Sequence, residues 1–371
     1  MRLFVLPFLG LLLATSLLLF DLTIIWSGRT AIRPVIQKGI ALGIYKASEG
    51  MSYYKPSLEE ISGLGATHLS IPVFFLQDTV HSVTHFSKPT DGTSPEQYDR
   101  VVREVIDYAH RLGLKVMLAP IVNINHPNKK DWRGTINPPN WDAWFESYRS
   151  FVRHYAQMAS DMDVEYMSVG TELVSTERFT KQWRRIINEV REIYSGQLTY
   201  SANWDRYEQV VFWDDLDYMG ISAYFELSES PNPTVEKLVV SWKTVKDRLI
   251  KWQEGWGKPL VFTEIGYMSQ SGVARHPWNY VSNGTVDLEE QRRCYEALRL
   301  VWEGESRLAG LYLWIWEPDK YGNSDRGYNF ARKPAEGVVH NWYSNLPDNA
   351  NILDYAANGM ERFLRSLRKG L

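Results

Sequence analysis

Residues 259–267 read Pro-Leu-Val-Phe-Thr-Glu-Ile-Gly-Tyr, an apolar stretch with a single carboxylate near its end. Its composition predicts a buried strand. The carboxylate, Glu264, would be expensive to bury there without a partner or a function. A second stretch has the same form, because the predicted strand Val164–Gly170 leads within two residues to Glu172. The chain therefore carries two apolar strands that each end at a glutamate.

Predicted strands and helices alternate along the chain on both sides of these two segments. The strands are expected at Lys38–Tyr45, Thr67–Gln77, Leu114–Asn123, Val164–Gly170, Leu198–Ala202, Leu216–Tyr224, Pro259–Ile265 and Leu308–Trp316. The helices are expected at Pro56–Gly65, Ser94–Gly113, Trp141–Ala159, Phe179–Tyr194, Thr234–Trp256, Asp287–Glu303 and Pro334–Trp342. This alternation is typical of an α/β protein with a (β/α)8 TIM barrel, here over residues 38–345. A doubly wound open sheet would usually carry a glycine-rich phosphate turn after an early strand, and the sequence has none.

The first 26 residues have the composition of a targeting or anchoring segment. An uncharged run of 18 residues covers positions 3–20, longer than a usual signal-peptide core and slightly shorter than a membrane span. We expect residues 1–26 to be a membrane anchor, acting through residues 3–26, or a cleaved signal peptide. The chain is then exported, either anchored facing outside the cytoplasm or secreted. Residues 27–37 form a linker, and residues 346–371 a C-terminal helical extension.

Composition narrows the classes of function. The 41 Lys and Arg residues against 44 Asp and Glu give a net charge of −3, which argues against a nucleic-acid binder. A single cysteine, Cys294, excludes an internal disulfide and Cys-based zinc sites. His81 and His85 are spaced like helical metal ligands but lie where no helix is expected, so no metal is predicted.

Aromatic residues make up 13% of the chain, including 15 Trp. Many can serve core packing, but flat rings also stack on sugars, which favours a carbohydrate ligand.

The two glutamates have the placement that cleavage of a glycosidic bond needs. The loops that follow the strands of a (β/α)8 barrel build its active site. Glu172 and Glu264 follow the fourth and seventh strands, although 92 residues separate them in sequence. One carboxyl group can protonate the leaving oxygen, while the other attacks the anomeric carbon or activates water. This chemistry requires no cofactor. The alternative for each glutamate alone is an ion pair with Lys or Arg at the barrel rim.

Several short motifs, in their order along the chain, resemble one family of glycosidases. They are Trp132-Arg133-Gly134, Trp144-Phe145 with Tyr148, Val169-Gly170-Thr171-Glu172-Leu173, Gly220-Ile221-Ser222-Ala223-Tyr224, Thr263-Glu264-Ile265-Gly266-Tyr267, Trp314-Ile315-Trp316 and Lys333-Pro334-Ala335. The pattern resembles clan A of the retaining glycoside hydrolases and, more narrowly, glycoside hydrolase family 113, whose characterised members are β-1,4-mannanases. The resemblance implies a retaining hydrolase of β-1,4-linked mannan or mannooligosaccharides. It also implies Glu172 as general acid/base and Glu264 as nucleophile.

Aromatic side chains at the ends of the sixth and eighth strands are candidates for substrate binding. The resemblance implies that the Tyr224 hydroxyl bonds to Glu264 and orients it, whereas a rim tyrosine in water is the alternative. Trp314 and Trp316 are two residues apart on a strand and are expected to point the same way. One of them, with Trp316 favoured, should form the floor of the subsite that holds the cleaved sugar. The alternative is packing within the barrel core.

Other candidates have less specific support. Asn123 and Trp204 end strands and are predicted to line the cleft, while Trp132 and Asp325 lie in loops that can form its walls. A structural role is an equal alternative for each of the four. Thr171 departs from the family pattern, since most clan A members carry Asn before the acid/base, where its amide contacts the sugar 2-hydroxyl. A threonine hydroxyl is shorter and offers one donor, so a reorganised contact is expected.

Two further functions are compatible with the sequence. The first is a hydrolase or transglycosylase that acts on another β-glycan or on a cell-surface polysaccharide. The second, of a different class, is a catalytically silent glycan-binding barrel protein, which the presence of both Glu172 and Glu264 argues against. In each case the expected partner is a polysaccharide or oligosaccharide and not a nucleic acid.

Overall fold

A computed structural model describes residues 36–83, 85–86, 91–128, 130–281, 284–319, 322 and 324–345. The predicted anchor or signal segment and the predicted C-terminal helical extension lie outside these residues, as does most of the predicted linker. Among the described residues, no helix is both long and apolar enough to cross a membrane.

Within the described residues, eight parallel strands form a closed barrel. They are β1 (Gln37–Leu42), β2 (His68–Gln77), β3 (Lys115–Ile124), β4 (Tyr166–Thr171), β5 (Gln197–Asn203), β6 (Met219–Ser222), β7 (Leu260–Ile265) and β8 (Leu308–Trp316). Each strand pairs with the next, and β8 returns to pair with β1, with Tyr312 opposite Gly39. The predicted (β/α)8 barrel is confirmed. A two-residue strand, His85–Phe86, pairs antiparallel with the end of β2.

The described helices lie between the strands and after the last one. They are α1 (Met51–Gly63), α2 (Pro95–Arg111), α3 (Trp141–Asp161), α4 (Thr180–Ile193), α5 (Val235–Trp256), α6 (Leu288–Trp302) and α7 (Pro334–Tyr343). Ser94 caps the start of α2, because its hydroxyl accepts a hydrogen bond from the Gln97 N–H at 3.2 Å. Such a cap satisfies one of the free N–H groups at a helix start.

Two connections differ from simple expectation. Helix α1 begins at Met51, before the predicted start at Pro56, so the proline lies inside the helix. Proline removes one backbone hydrogen bond there, but buried side chains on both sides of it pack the helix against the barrel. Between β5 and β6 the described chain forms two short 3-10 turns, Tyr207–Gln209 and Trp213–Asp215, instead of an α-helix.

Aromatic side chains fill the N-terminal end of the barrel. The Tyr312 hydroxyl donates to the side-chain oxygen of Gln37 at 2.9 Å. The rings of His68 and Tyr166 lie 5.4 Å apart, and those of Tyr166 and Tyr218 lie 6.0 Å apart. This end of the barrel is therefore packed, and a site is expected at the opposite end, where the strands terminate.

Large tryptophan side chains occupy the layer between the helices and the barrel. Trp144, Trp183, Trp242 and Trp302 are fully buried. Trp242, for example, stacks on Phe262 of β7 with ring centroids 6.1 Å apart. Much of the high aromatic content therefore stabilises the fold, and a smaller set at the strand ends is left for ligand binding.

Candidate active site

The structure brings Glu172 and Glu264 to the same end of the barrel. Glu264 lies within β7 near its C-terminal end, and Glu172 directly follows β4. Their exposed fractions are 6% and 8%. The two side chains are close enough for the charge of Glu172 to raise the pKa of Glu264. This is the arrangement that the strand assignment predicts for the two glutamates.

An unusual backbone conformation directs Glu172. Its φ of 54° lies in the left-handed region, which non-glycine residues rarely adopt. Its N–H donates to the carbonyl of Ser201 on β5 at 2.8 Å, and the next N–H, of Leu173, donates to the Tyr200 hydroxyl at 3.0 Å. Tyr200 in turn donates to the buried Glu177 at 2.9 Å. These bonds hold a strained residue in place, as is common at functional sites.

Arg133 connects the end of β3 to Glu172. Its Nη1 donates to Oε2 of Glu172 at 2.9 Å. Its Nη2 donates to Oδ1 of Asn123 at 2.9 Å, and its Nε to the carbonyl of Val122 at 2.9 Å. Since three donors are engaged, the orientation of the planar guanidinium group is fixed. No role is predicted for Arg133 from the sequence, although it belongs to the motif Trp132-Arg133-Gly134.

Tyr224 holds one oxygen of Glu264. Its hydroxyl donates to Oε2 of Glu264 at 3.1 Å, the contact that the family resemblance implies. Oε1 is buried and has no hydrogen-bond partner among the described residues. Just beyond, Gly266 packs against β8, where an added Cβ would lie 2.2 Å from the carbonyl oxygen of Trp314. Glu264 therefore has one oxygen oriented by Tyr224 and one buried oxygen that no described residue engages.

The electrostatics of the pair favour one shared proton. Burial is the main cause that raises the pKa of Glu264 above the ordinary carboxyl range, and the charge of Glu172 adds to it. Arg133 and the hydrogen bond from Tyr224 lower the pKa of Glu264 and oppose that rise. Two close carboxyl groups resist simultaneous ionisation, so the pair retains a proton above the pH at which an exposed glutamate loses it. The proton that the acid step needs is predicted on Glu172 from the family resemblance, whereas the raised pKa in the structure is that of Glu264.

The two tryptophans of β8 occupy different environments. Between Leu313 and Trp316, β8 advances three residues where β1 advances two, so a bulge interrupts the alternation of side chains. The peptide bond from Trp314 to Ile315 is cis. Trp316 is 3% exposed and packs edge to face on Phe330, whereas Trp314 is half-buried. The expectation that both side chains point the same way therefore loses its basis.

Asn123 and Thr171 lie next to the glutamates. The amide oxygen of Asn123 accepts the hydrogen bond from Arg133, so this residue positions the arginine in addition to its predicted place at the cleft. Thr171 is buried beside Glu172, and in the described part of the chain its hydroxyl has no hydrogen-bond partner.

Trp204 and Trp132 are both half-buried on loops that follow strands. Trp204 packs edge to face on Phe225, with ring centroids 6.0 Å apart. The ring of Trp132 lies against Gly134, where an added Cβ would be 2.2 Å from it. Both loops therefore present an aromatic side chain that is packed on one side and partly open to solvent.

Asp325 belongs to a buried polar cluster. Its Oδ2 accepts from the ammonium group of Lys333 at 2.6 Å, and Lys333 also donates to the Ser269 hydroxyl at 2.8 Å. Its Oδ1 accepts from the Gly327 N–H at 3.1 Å. These contacts fasten the loop after β8 to the start of α7, a structural role that was the alternative to the predicted sugar contact.

Tyr328 is a residue at the site that sequence analysis does not identify. Its ring packs against that of Tyr224 at 5.9 Å. Burial raises its pKa far above the usual tyrosine value, and the charges of Glu172 and Glu264 raise it further. The phenol group is therefore close to both carboxylates. It lies in the loop after β8, where the sequence offers no periodic signal.

The described part of the chain contains no group of three or more His, Cys, Asp or Glu side chains placed to hold a metal ion. His81 lies in a turn, and its Nδ1 bonds to the carbonyl of Asn137 at 2.8 Å. The helical ligand spacing suggested by His81 and His85 in the sequence is therefore not realised.

Paired carboxyl groups at the open end of a (β/α)8 barrel match what cleavage of a glycosidic bond needs, an acid and a second carboxylate, and so indicate a glycoside hydrolase. The family model described as Glycoside Hydrolase Family 113 matches residues 44–333. This match spans most of the chain. The chain belongs to glycoside hydrolase family 113, as its motifs suggest.

Solved structures agree with this assignment. A complex of a GH113 β-1,4-mannanase is 30% identical with a TM-score of 0.74, and the match covers 83% of this chain and 99% of that one. The GH113 β-mannanase AaManA from Alicyclobacillus acidocaldarius, in complex with ManMIm, is 29% identical with a TM-score of 0.74, over 84% and 98% of the two chains.

More distant structures share only the fold. A glycoside hydrolase family 5 mannosidase from Rhizomucor miehei has a TM-score of 0.56 at 9% identity, over 85% of this chain and 94% of that one. A search of curated proteins finds no match.

Proposed function

We propose that this enzyme hydrolyses β-1,4-linked mannan or mannooligosaccharides with retention of anomeric configuration. Family membership supports the proposal, as do the β-1,4-mannanase and β-mannanase among the similar structures. The observation that carries it is the state of Glu264, which has one oxygen held by Tyr224 and the other buried without a partner among the described residues. We assign to that second oxygen the attack on the anomeric carbon, because no hydrogen bond within the described residues engages it.

In the first step, Glu172 protonates the glycosidic oxygen and Glu264 acts as the nucleophile. Oε1 of Glu264 forms a bond to the anomeric carbon, while the bond from that carbon to the leaving sugar oxygen breaks. Arg133 contacts Oε2 of Glu172, so Oε1 carries the transferred proton. The products are a sugar ester of Glu264 and the released chain end.

In the second step, Glu172 acts as a base. Esterification removes the charge of Glu264, and with it the repulsion that opposes ionisation of Glu172. The guanidinium group of Arg133 stabilises Glu172 as a carboxylate, which accepts a proton from water. The water oxygen attacks the anomeric carbon from the face that the leaving group vacated, while the bond from that carbon to Oε1 of Glu264 breaks and releases Glu264 as a carboxylate. Two inversions restore the original configuration.

A hydrolysis screen of the full-length enzyme tests the proposal. The substrates are mannan, glucomannan, xylan and β-glucan, with the first-formed product anomer read by NMR. We expect cleavage of the mannose-containing polymers with initial release of the β-anomer. Initial release of the α-anomer would contradict retention. Preferential cleavage of xylan or β-glucan would show that the substrate is another β-glycan. Binding without hydrolysis would favour a glycan-binding protein.

We also propose that residues 3–26 export the chain and anchor it to a membrane. The support is the uncharged apolar run at positions 3–20. Cell fractionation of the chain with a C-terminal tag tests the proposal, with N-terminal sequencing of the recovered protein. Membrane-bound protein with an intact N-terminus is expected. A shortened, soluble product would show a cleaved signal peptide, and cytoplasmic protein would refute export.

A further inference from the structure

Exposed apolar side chains are concentrated on the loop that follows β7. Four of the large hydrophobic side chains that are exposed among the described residues belong to this loop: Trp278, Tyr280, Val281 and Val286. Tyr280 is 71% exposed and Trp278 is 42% exposed. Apolar groups clustered in this way mark a surface that a ligand or partner covers. We call Trp278 and Tyr280 the aromatic platform.

Hydrogen bonds fix the platform on its loop. The carboxylate of Glu226, which follows β6, accepts from Nε1 of Trp278 at 3.0 Å and lies 2.9 Å from Nδ1 of His276. On the other side, Glu290 of α6 accepts from the N–H of Ala274 at 3.1 Å. The indole is therefore held by its edge and keeps much of its surface exposed. A ring that is already ordered loses little entropy when it binds a ligand.

The platform is continuous with the active site. The Tyr328 hydroxyl donates to the carbonyl of Pro277 at 2.5 Å, one residue before Trp278. The ring of Tyr328 packs on Tyr224, and Tyr224 donates to Glu264. A chain of direct contacts thus leads from the nucleophile to the platform. The loop that carries Trp278 is therefore anchored to a residue that lies beside both glutamates.

We propose that the aromatic platform is a distal subsite for a neutral glycan, in which a sugar unit of the bound chain stacks its C–H face on Trp278. This inference rests on the proposed function. A sugar ring has an apolar face that fits an indole and hydroxyl groups that donate to a carboxylate. Glu226 lies half-exposed beside the ring and can accept such a bond. Its charge also disfavours an acidic polysaccharide.

Chain-length dependence tests the subsite. The full-length enzyme and its Trp278→Ala and Tyr280→Ala variants are compared on β-1,4-mannooligosaccharides from the disaccharide to the hexasaccharide. We expect the ratio of wild-type to Trp278→Ala kcat/KM to grow with chain length, to about three- to tenfold for the longest substrates, the loss of one stacking contact. Trp278→Phe should keep part of the kcat/KM that Trp278→Ala loses on the longest substrates. Leu300→Ala, which shortens an exposed side chain on α6, is the matched control and should change no ratio.

The remaining outcomes separate the explanations. A Trp278→Ala ratio that is the same at every chain length would overturn the subsite while leaving the proposed function intact. If the wild-type enzyme cleaves no member of the series, the proposed function fails, and the subsite with it. Sedimentation velocity of the wild type and Trp278→Ala gives a second readout. A variant that loses self-association without any chain-length effect would make the platform an interface between two copies, which also overturns the subsite.

Discussion

The guanidinium group of Arg133 lies 2.9 Å from Oε2 of Glu172, and two acceptors on β3 hold it there. An opposite charge at this distance favours the ionised form of a carboxyl group. The same guanidinium group also lowers the pKa of Glu264. Arg133 therefore favours the ionised form of Glu264, against the burial that raises the pKa of this carboxyl group.

Replacing Arg133 with Gln removes this charge and should shift the pH profile. Because Arg133 lowers the pKa of Glu264, its loss raises that pKa, and the acid limb of kcat/KM moves to higher pH. Deglycosylation should also slow, since the base form of Glu172 loses its partner. The kcat/KM profile between pH 4 and 9 measures the shift.

Arg133→Lys provides the control for charge. It keeps the positive charge but not the geometry that contacts two acceptors at once. We expect the acid limb to return towards the wild-type position, while kcat stays reduced. An acid limb that does not move in Arg133→Gln would contradict a role for Arg133 in setting the ionisation of the pair.

Azide distinguishes the roles of the two glutamates. We expect Glu264→Ala and Glu172→Ala each to lower kcat by roughly 10³-fold or more. In Glu264→Ala, azide can occupy the space of the lost carboxylate and attack a β-glycoside with a good leaving group from the opposite face, which gives the α-glycosyl azide. In Glu172→Ala, azide attacks the ester on Glu264 and gives the β-glycosyl azide.

Product configuration is read by NMR of the rescued reactions. The same anomer from both variants would refute double displacement. If Glu264→Ala gave the β-glycosyl azide and Glu172→Ala the α-glycosyl azide, Glu172 would be the nucleophile and Glu264 the acid/base. Near-wild-type activity of either variant without azide would remove that glutamate from the mechanism.

Removing the Tyr224 hydroxyl should weaken catalysis with little effect on stability. A hydrogen bond to a charged group contributes about 1.5–3 kcal/mol, so Tyr224→Phe should lose roughly 10- to 100-fold in kcat/KM. The hydrogen bond lowers the pKa of Glu264, so its loss moves the acid limb upward. Tyr328→Phe is a neighbouring control that leaves the bond to Glu264 intact. A Tyr224→Phe variant with wild-type kcat/KM would show that the contact does not orient the nucleophile.

The sequence was sufficient for the fold and the glutamate pair because both depend on local patterns. Each apolar strand is recognisable from its own residues, and a barrel places every strand end at the same mouth, so Glu172 and Glu264 could be brought together without coordinates. The Tyr224 contact required the family resemblance in addition, since a strand-end tyrosine alone does not reveal its partner.

Long-range geometry accounts for what the sequence could not reveal. Arg133 reaches Glu172 from a loop whose path depends on β3 and on the 3-10 turn at Arg133–Thr135. The bulge in β8 depends on how it pairs with β1, so the alternation rule does not apply between Trp314 and Trp316. Tyr328 enters the site from a loop with no periodic pattern. In each case the neighbours that determine the position are distant in sequence.

Glu177 should make the free energy of unfolding fall as the pH rises, because folding raises the pKa of its carboxyl group. It is buried behind the Glu172 segment, where it accepts from Tyr200, and its Oε2 has no partner within the described residues. Burial raises its pKa from 4.5 to about 8. Between these values the folded protein binds more protons than the unfolded chain, so the free energy of unfolding falls as the pH rises.

Glu177→Gln mimics the protonated side chain and removes this dependence. At pH 8 we expect it to stabilise the protein by roughly 1–3 kcal/mol, because no unpaired charge is buried. At pH 5 the variant and the wild type should be nearly equal. Thermal unfolding of both at the two pH values measures the difference, with Glu192→Gln, an exposed glutamate of α4, as the matched control. Equal wild-type and Glu177→Gln melting temperatures at pH 8, or a larger gain at pH 5 than at pH 8, would show that Glu177 is ionised in the folded protein.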